Sequence, residues 1–277
     1  MDIATISGLV LAITVIVVAL IMDGGSPAEL FAHPSAIILI FGGSLGATII
    51  TSPLKVVLNL PKVIIQAFTT NGFDAKGTIE LLTTLADKAR REGLLALEDD
   101  SKKINDKFLK KGIMMVVDGV EPEQVSAILE TTVDQMRTRH KTGIGFFTAA
   151  GAFAPTFGII GTVMGLISVL KQLDNPSALG EAIAAAFLAT LWGLLSANLI
   201  YLPIAGKLKA KSEEEAQSRY MQLEGIISIQ AGENPRVVRD KLSAYLTPSE
   251  VKGEKEAGKG KSADKRAAAG NAGKAQA

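Results

Sequence analysis

The chain has 277 residues, 29 Lys and Arg against 28 Asp and Glu, no cysteine, and a mean hydropathy of +0.30. A hydrophobic fraction of 48% beside that much charge is too apolar for an ordinary soluble protein. The net charge of +1 gives no footprint for nucleic acid, and the lack of cysteine excludes disulfides, thiolate metal sites and thiol catalysis.

The apolarity is concentrated in four stretches, the first being Ile3–Met22. A helix needs roughly 20 residues to cross a bilayer core of about 30 Å. This stretch meets that length. It has no basic flank ahead of it, and it ends Leu20-Ile21-Met22-Asp23 without a small-x-small cleavage pattern, so it is expected to be a retained membrane helix. The second, Ala36–Ile50, is shorter, and Thr51 and Ser52 are expected to extend it. Residues 1–52 are thus predicted to form a transmembrane hairpin joined by the loop Asp23–Ser35.

Residues 53–147 read as a helical cytoplasmic domain. Ile79, Leu82, Leu85 and Ala86 recur at helical spacing after Asp74, a candidate N-cap. Gly93 is expected to break or bend the chain before Leu94, Leu95, Leu97 and the acidic run Glu98-Asp99-Asp100. Asp118-Gly119 marks a turn and Pro122 suits a first helical turn. Val125, Ile128, Leu129, Val133 and Met136 then form an apolar stripe leading through Arg137, Arg139 and Lys141 towards the membrane.

Residues 148–206 contain the third and fourth stretches, Thr148–Leu170 and Ala182–Ala205, predicted to form a second hairpin. Pro155 is expected to open the third pass and Pro203 to close the fourth. Wound as helices, the third pass carries Pro155, Gly158, Thr162 and Gly165 on one stripe, with Gly161 beside it. The fourth carries Ala186, Thr190, Gly193 and Ala197 likewise. Such stripes let another helix approach closely, and the threonines offer hydroxyl oxygens. The alternative is that each hydroxyl is satisfied by its own helix and the stripes only pack. No Asp or Glu lies in either stretch, so an ion moving along them needs a carrier group from another chain.

Residues 207–250 read as C-terminal cytoplasmic helices, with Gly232-Glu233-Asn234-Pro235 as a break, and 251–277 as a disordered tail. Of the 29 basic residues, 14 lie in Ser52–Lys141 and 14 from Lys207 onward, while the loop Asp23–Ser35 has none. The basic side is the cytoplasmic side, which places both termini inside. No phosphate-binding loop, nucleophile elbow or metal cluster is present in the pattern. The fold class is therefore an all-α polytopic membrane protein with four transmembrane helices and a helical cytoplasmic domain, without enzymatic activity or cofactor.

The run Pro155-Thr156-Phe157-Gly158-Ile159-Ile160-Gly161-Thr162-Val163-Met164-Gly165 resembles the A subunit of the flagellar stator, the MotA/PomA family. So do Thr190-Leu191-Trp192-Gly193, Tyr201-Leu202-Pro203-Ile204-Ala205, the segment Glu224–Pro235, and Ala89–Glu98. The resemblance covers roughly Met1 to Leu246. It implies an inner-membrane torque generator: five A subunits around two B subunits of the MotB/PomB type, whose membrane helices each bring an essential aspartate. Transported Na+ or H+ would pass that aspartate and drive the rotor protein FliG. By the same resemblance, Pro155 and Pro203 couple ion passage to movement, Arg90 and Glu98 contact the rotor, and Arg91 shares that role. A threonine matching Thr190 occurs in both ion classes, whereas one matching Thr162 is associated with sodium-type members; sodium is favoured, with the proton as the alternative. Two rival readings are an ExbB/TolQ-type energy-transducing subunit, which typically has three passes, and a passive membrane channel or scaffold.

Overall fold

The computed structural model describes residues 3–69, 73–171 and 176–246; the tail 251–277 lies outside them. Among the described residues all regular structure is helical. The chain divides into two compact units, one of Met1–Gly72 with Gln135–Glu214, the other of Phe73–Asp134 with the chain from Glu215. The divisions fall inside long helices rather than near residues 147 and 206, because apolar and polar segments there share one unbroken helical backbone.

The first unit opens with α1 (Ile3–Met22), followed by a 3₁₀ turn at Pro27–Phe31, α2 (Pro34–Ile50) and α3 (Leu54–Phe68). The expected extension of the second pass through Thr51 and Ser52 does not form. Their N–H groups turn back to the carbonyls of Thr48 and Ile49, at 3.2 and 3.1 Å, and extended Pro53 leads into α3. At 17 residues, α2 is about 25 Å long.

Two further helices complete the apolar set. The first, α7 (Pro122–Leu170), runs straight through Pro155. The second pass begins as α8 (Pro176–Leu195), widens into a π turn at Ser196–Tyr201, and continues as α9 (Leu202–Gln230). Both proline expectations are therefore corrected: Pro155 opens no helix, and Pro203 closes none. A membrane helix tolerates proline where packed neighbours hold the backbone on either side. Among the described residues three helical spans, α1, α7 and the continuous run from Leu179 to Gln230, are long and apolar enough to cross a membrane. The shorter apolar α2 makes a fourth member of the set.

These helices share a core of Ile40, Phe146, Phe147, Ala150, Ala154, Ala197, Tyr201 and Ala205. Ala150 and Ala154 are four residues apart on α7, and Ala197, Tyr201 and Ala205 recur every four from the π turn into α9, so the large rings of Phe146, Phe147 and Tyr201 fill the space that small neighbours leave. Inside this core Ser44 and Tyr201 hydroxyls hydrogen-bond at 3.3 Å, and Thr48 donates to the Ser44 carbonyl at 2.7 Å. Trp192 Nε1 donates to the Leu30 carbonyl at 2.8 Å and so fastens the 3₁₀ turn to α8.

The second unit holds α4 (Ala75–Glu92), a 3₁₀ turn at Leu94–Leu97, α5 (Glu98–Lys103), α6 (Lys107–Val117), α10 (Pro235–Ser243) and its own portions of α7 and α9. Asp74 caps α4 as expected, accepting from Gly77 N at 2.9 Å. Its buried face is Ile79, Leu82, Leu85, Ala86 and Ala89, each large side chain contributing about 1.5–3 kcal/mol by burial. Gly93 ends the helix at φ +88°, a left-handed conformation that L side chains rarely adopt. Val125, Leu129 and Val133 are buried as the stripe predicted, while Ile128 is exposed. Asp106 caps α6 through Phe108 N and Leu109 N and also holds Arg219 at 2.6 Å.

Candidate ion-path site

α7 and α8 meet backbone to backbone. A Cβ built on Gly193 would lie 2.9 Å from the Ala154 carbonyl oxygen and 3.1 Å from Gly158 Cα. One built on Gly165 would lie 2.5 Å from Ala186 Cβ, and one on Gly161 2.6 Å from Ala189 Cβ. The two small-residue stripes therefore face each other within one chain, which is what a glycine-lined crossing permits. Ala197 lies one turn further on, buried in the aromatic core beside Ala154.

That close approach brings Thr162 and Thr190 together. Their hydroxyls are hydrogen-bonded to each other. Thr162 Oγ1 is also 3.1 Å from the Gly158 carbonyl and 3.3 Å from the Ala186 carbonyl, and Thr190 Oγ1 is 3.4 Å from the Gly158 carbonyl. Four oxygens thus converge; the two carbonyls already accept the backbone N–H groups four residues on, and two hydroxyl protons are shared among the lone pairs that remain. Each hydroxyl can donate once, so lone pairs outnumber donors. Both threonines are half-buried. The carbonyls of Gly158 and Ala186 were not legible as site atoms, since every residue carries one.

The prolines flank this crossing. Pro155 brings no N–H to the Gly151 carbonyl four residues back, which removes one rung from α7. Ahead of Pro203 the Leu202 N–H bonds to the Ala197 carbonyl, five residues back, in the π register. Pro203 is exposed and Pro155 half-exposed. The π turn escaped sequence reasoning; its signal was the proline just after it, which cannot continue an α-helical ladder.

In the second unit, the charged positions bracket a bend. Arg90 and Arg91 occupy the last turn of α4 and Glu98 the first turn of α5, each favourably placed against its helix dipole. All three are exposed. Arg91 pairs with Asp87 at 3.0 Å and Glu98 with Lys102 at 3.0 Å. Between them Leu95 stands 76% exposed, an apolar contact point that the charge pattern alone did not single out. Behind it, the hydrogen bond from Lys88 at 2.7 Å, helped by Lys103, holds the Asp100 carboxyl below the usual carboxylate range. Among the described residues no cluster of His, Cys, Asp and Glu is arranged to hold a metal.

Residues 100–221 match the MotA/TolQ/ExbB proton channel family, and residues 6–93 match the Motility protein A N-terminal family. The motility protein A of Bacillus subtilis (strain 168) is 39% identical over 247 residues, which are 89% of this chain and 91% of that protein. The structure of C. jejuni MotAB superposes with a TM-score of 0.85 at 34% identity, covering 90% of this chain and 97% of that one. The flagellar MotAB stator complex from Bacillus subtilis superposes with a TM-score of 0.84 at 37% identity, covering 90% and 98%. With its apolar helix set, its glycine-lined crossing and these matches over nearly its whole length, the chain belongs to the motility protein A family.

Proposed function

We propose that this chain is the A subunit of a flagellar motor stator that uses sodium flow to turn the rotor. The observation that carries the reading is the oxygen cluster at the α7–α8 crossing, set in passes that contain no carboxylate of their own. Sodium exchanges its water for several oxygens at once, whereas a proton needs only one basic group. A carboxylate near the bilayer centre costs on the order of 2.5–3.5 kcal/mol, so it is expected only where it works. Here it comes from a partner B subunit, and the names of the MotAB complexes support the presence of such a partner. One monovalent ion crossing about 150 mV releases roughly 3.5 kcal/mol, the energy available per ion for a step.

In this assembly five copies surround two B subunits in the inner membrane, with both termini and the 53–147 and 207–250 segments in the cytoplasm. Arg90, Arg91 and Glu98 face FliG, and Pro155 and Pro203 couple ion passage to movement. The protein performs no covalent chemistry and needs no cofactor beyond the transported ion. An ExbB/TolQ-type role is disfavoured by the match of residues 6–93 to the motility protein A N-terminal family, a region ahead of the shared channel segment.

The test is swimming speed against external sodium at fixed pH and ionic strength, with Thr162→Ala alongside. Speed should rise with sodium and saturate, and the variant should need more sodium or fail. Speed independent of sodium from zero to saturation would leave a proton-driven stator.

A further inference from the structure

We propose that α3 is a lipid-binding element whose exposed face sits among anionic phospholipids, with Lys55 and Lys62 holding their headgroups. This rests on the membrane placement proposed above. Helix α3 follows α2 after only Thr51, Ser52 and Pro53. One side, Val56, Val57, Leu60 and Val63, packs on the aromatic core. Another side is apolar yet uncovered: Leu54 is 71%, Leu58 71% and Ile65 64% exposed. With Pro61 they form an i, i+4, i+7, i+11 stripe. Lys55, Asn59, Lys62 and Gln66 follow the same spacing one residue later, so the polar stripe runs parallel to the apolar one and about 100° around the helix. No acid occurs between Glu29 and Asp74, so nothing on this stretch neutralises the two lysines.

The level of α3 is set by its contacts with α7 and α9, which are themselves joined at the same height. A Cβ on Gly143 would lie 3.5 Å from Val63 Cγ1. Lys211 Nζ donates to the Gln66 carbonyl at 2.6 Å and to the Thr69 carbonyl, closing the end of α3. His140 Nδ1 and Ser212 Oγ are 3.0 Å apart. At this level α7 changes from Arg139-His140-Lys141 to Ile144-Phe146-Phe147, and α9 from Ala205 to Lys207-Lys209-Lys211. That is where charge gives way to hydrocarbon. An apolar stripe beside a lysine stripe at such a boundary suits the acyl and phosphate layers respectively. A partner protein helix would be expected to offer acids to the lysines and lose the lipid side; the positive charge favours the anionic leaflet.

Because the chain has no cysteine, a single nitroxide can be placed by Leu58→Cys in the full chain assembled with its B subunit. The complex is reconstituted in 3:1 phosphatidylcholine/phosphatidylglycerol vesicles, and collisions with oxygen and with a water-soluble nickel chelate are measured. The proposal expects frequent oxygen and rare nickel collisions. Rare collisions with both would show a protein surface, and frequent nickel collisions would show water; either overturns it. A second label at Leu11→Cys, on α1 where this side chain is 65% exposed and away from the ion-path crossing, must also exclude nickel. If it does not, the membrane reading has failed rather than the assignment of α3. For the headgroups, Lys55→Gln/Lys62→Gln should at least halve the phosphatidylglycerol retained per chain on purification, with phosphatidylcholine unchanged. Unaltered phosphatidylglycerol would remove the role of the lysines.

Discussion

Gly165→Ala probes the crossing on which the ion-path reading depends. The added methyl would sit 2.5 Å from Ala186 Cβ and 3.0 Å from Ala186 Cα. Carbon atoms prefer about 3.5–4.0 Å, so the helices must part by about 1 Å, and no flexible side chain stands between them to give way. Overpacking of this kind costs about 1–3 kcal/mol. Replacing a helical glycine by alanine returns at most about 1 kcal/mol of backbone entropy. A contact this close, with nothing flexible between the helices, takes the upper half of the overpacking cost, about 2–3 kcal/mol, so the net loss is about 1–2 kcal/mol, a factor of roughly 5–30 in the folded/unfolded ratio. Parting the helices would also separate Thr162 from Thr190, so motility should fall more than protein level does. Moving the methyl to the other helix separates packing from chemistry: in Gly165→Ala/Ala186→Gly the number of Cβ atoms at the contact is restored to one. Unfolding titrations of the reconstituted protein should show the double variant regaining most of the loss. Unchanged stability in Gly165→Ala, or a double variant worse than the sum of its singles, would refute the crossing geometry.

Three further outcomes follow from other contacts. Asp106→Asn keeps a capping oxygen for α6 but loses the charge facing Arg219, and should cost about 1–2 kcal/mol of stability in the second unit. Burial alone would raise the Asp106 carboxyl, but the Leu109 N–H and Arg219 outweigh it and hold it below its ordinary value; this contribution is full above about pH 4 and is lost as pH falls through the lowered value, so pH-dependent unfolding of wild type and variant should converge in acid. Pro155→Ala should accumulate normally and retain the B subunit in pull-downs while motility is lost; failure to accumulate would make the proline structural. Reversing both charges proposed to face the rotor, in Arg90→Glu/Glu98→Lys, breaks only exposed contacts worth about 0–1 kcal/mol, so levels should hold while torque in a bead assay drops, and a swimming speed equal to wild type would contradict the assignment.

Much of the second unit was legible because its signals are local. Asp74, Gly93, Gly119 and Pro122 each act on the backbone within one turn, and the structure uses each at the expected place. The buried face of α4 likewise follows from a period that one helix carries by itself. What was not legible depends on partners. Glycine spacing shows that something approaches Gly158 and Gly165, but only the fold shows that the visitor is α8 of the same chain. Proline reads as a boundary in a soluble helix, which is why the sequence pattern puts Pro155 and Pro203 at ends; packed neighbours let α7 and α9 continue past them. The end of α2 is hidden in the sequence for a similar reason, because Thr51 and Ser52 extend an apolar run equally well in composition whether they form a last turn or, as here, a reverse turn into α3.

A stator subunit, with its partner, must convert ion flow into torque. The most direct measurement is rotation of a bead on a single flagellar motor in a strain lacking this chain, while its expression is restored and the ion gradient is then dissipated. The expected result is a filament that does not turn, speed that rises in discrete increments as copies are restored, and arrest when the gradient collapses. A motor that rotates without the chain, or keeps its torque after the gradient is gone, would contradict it.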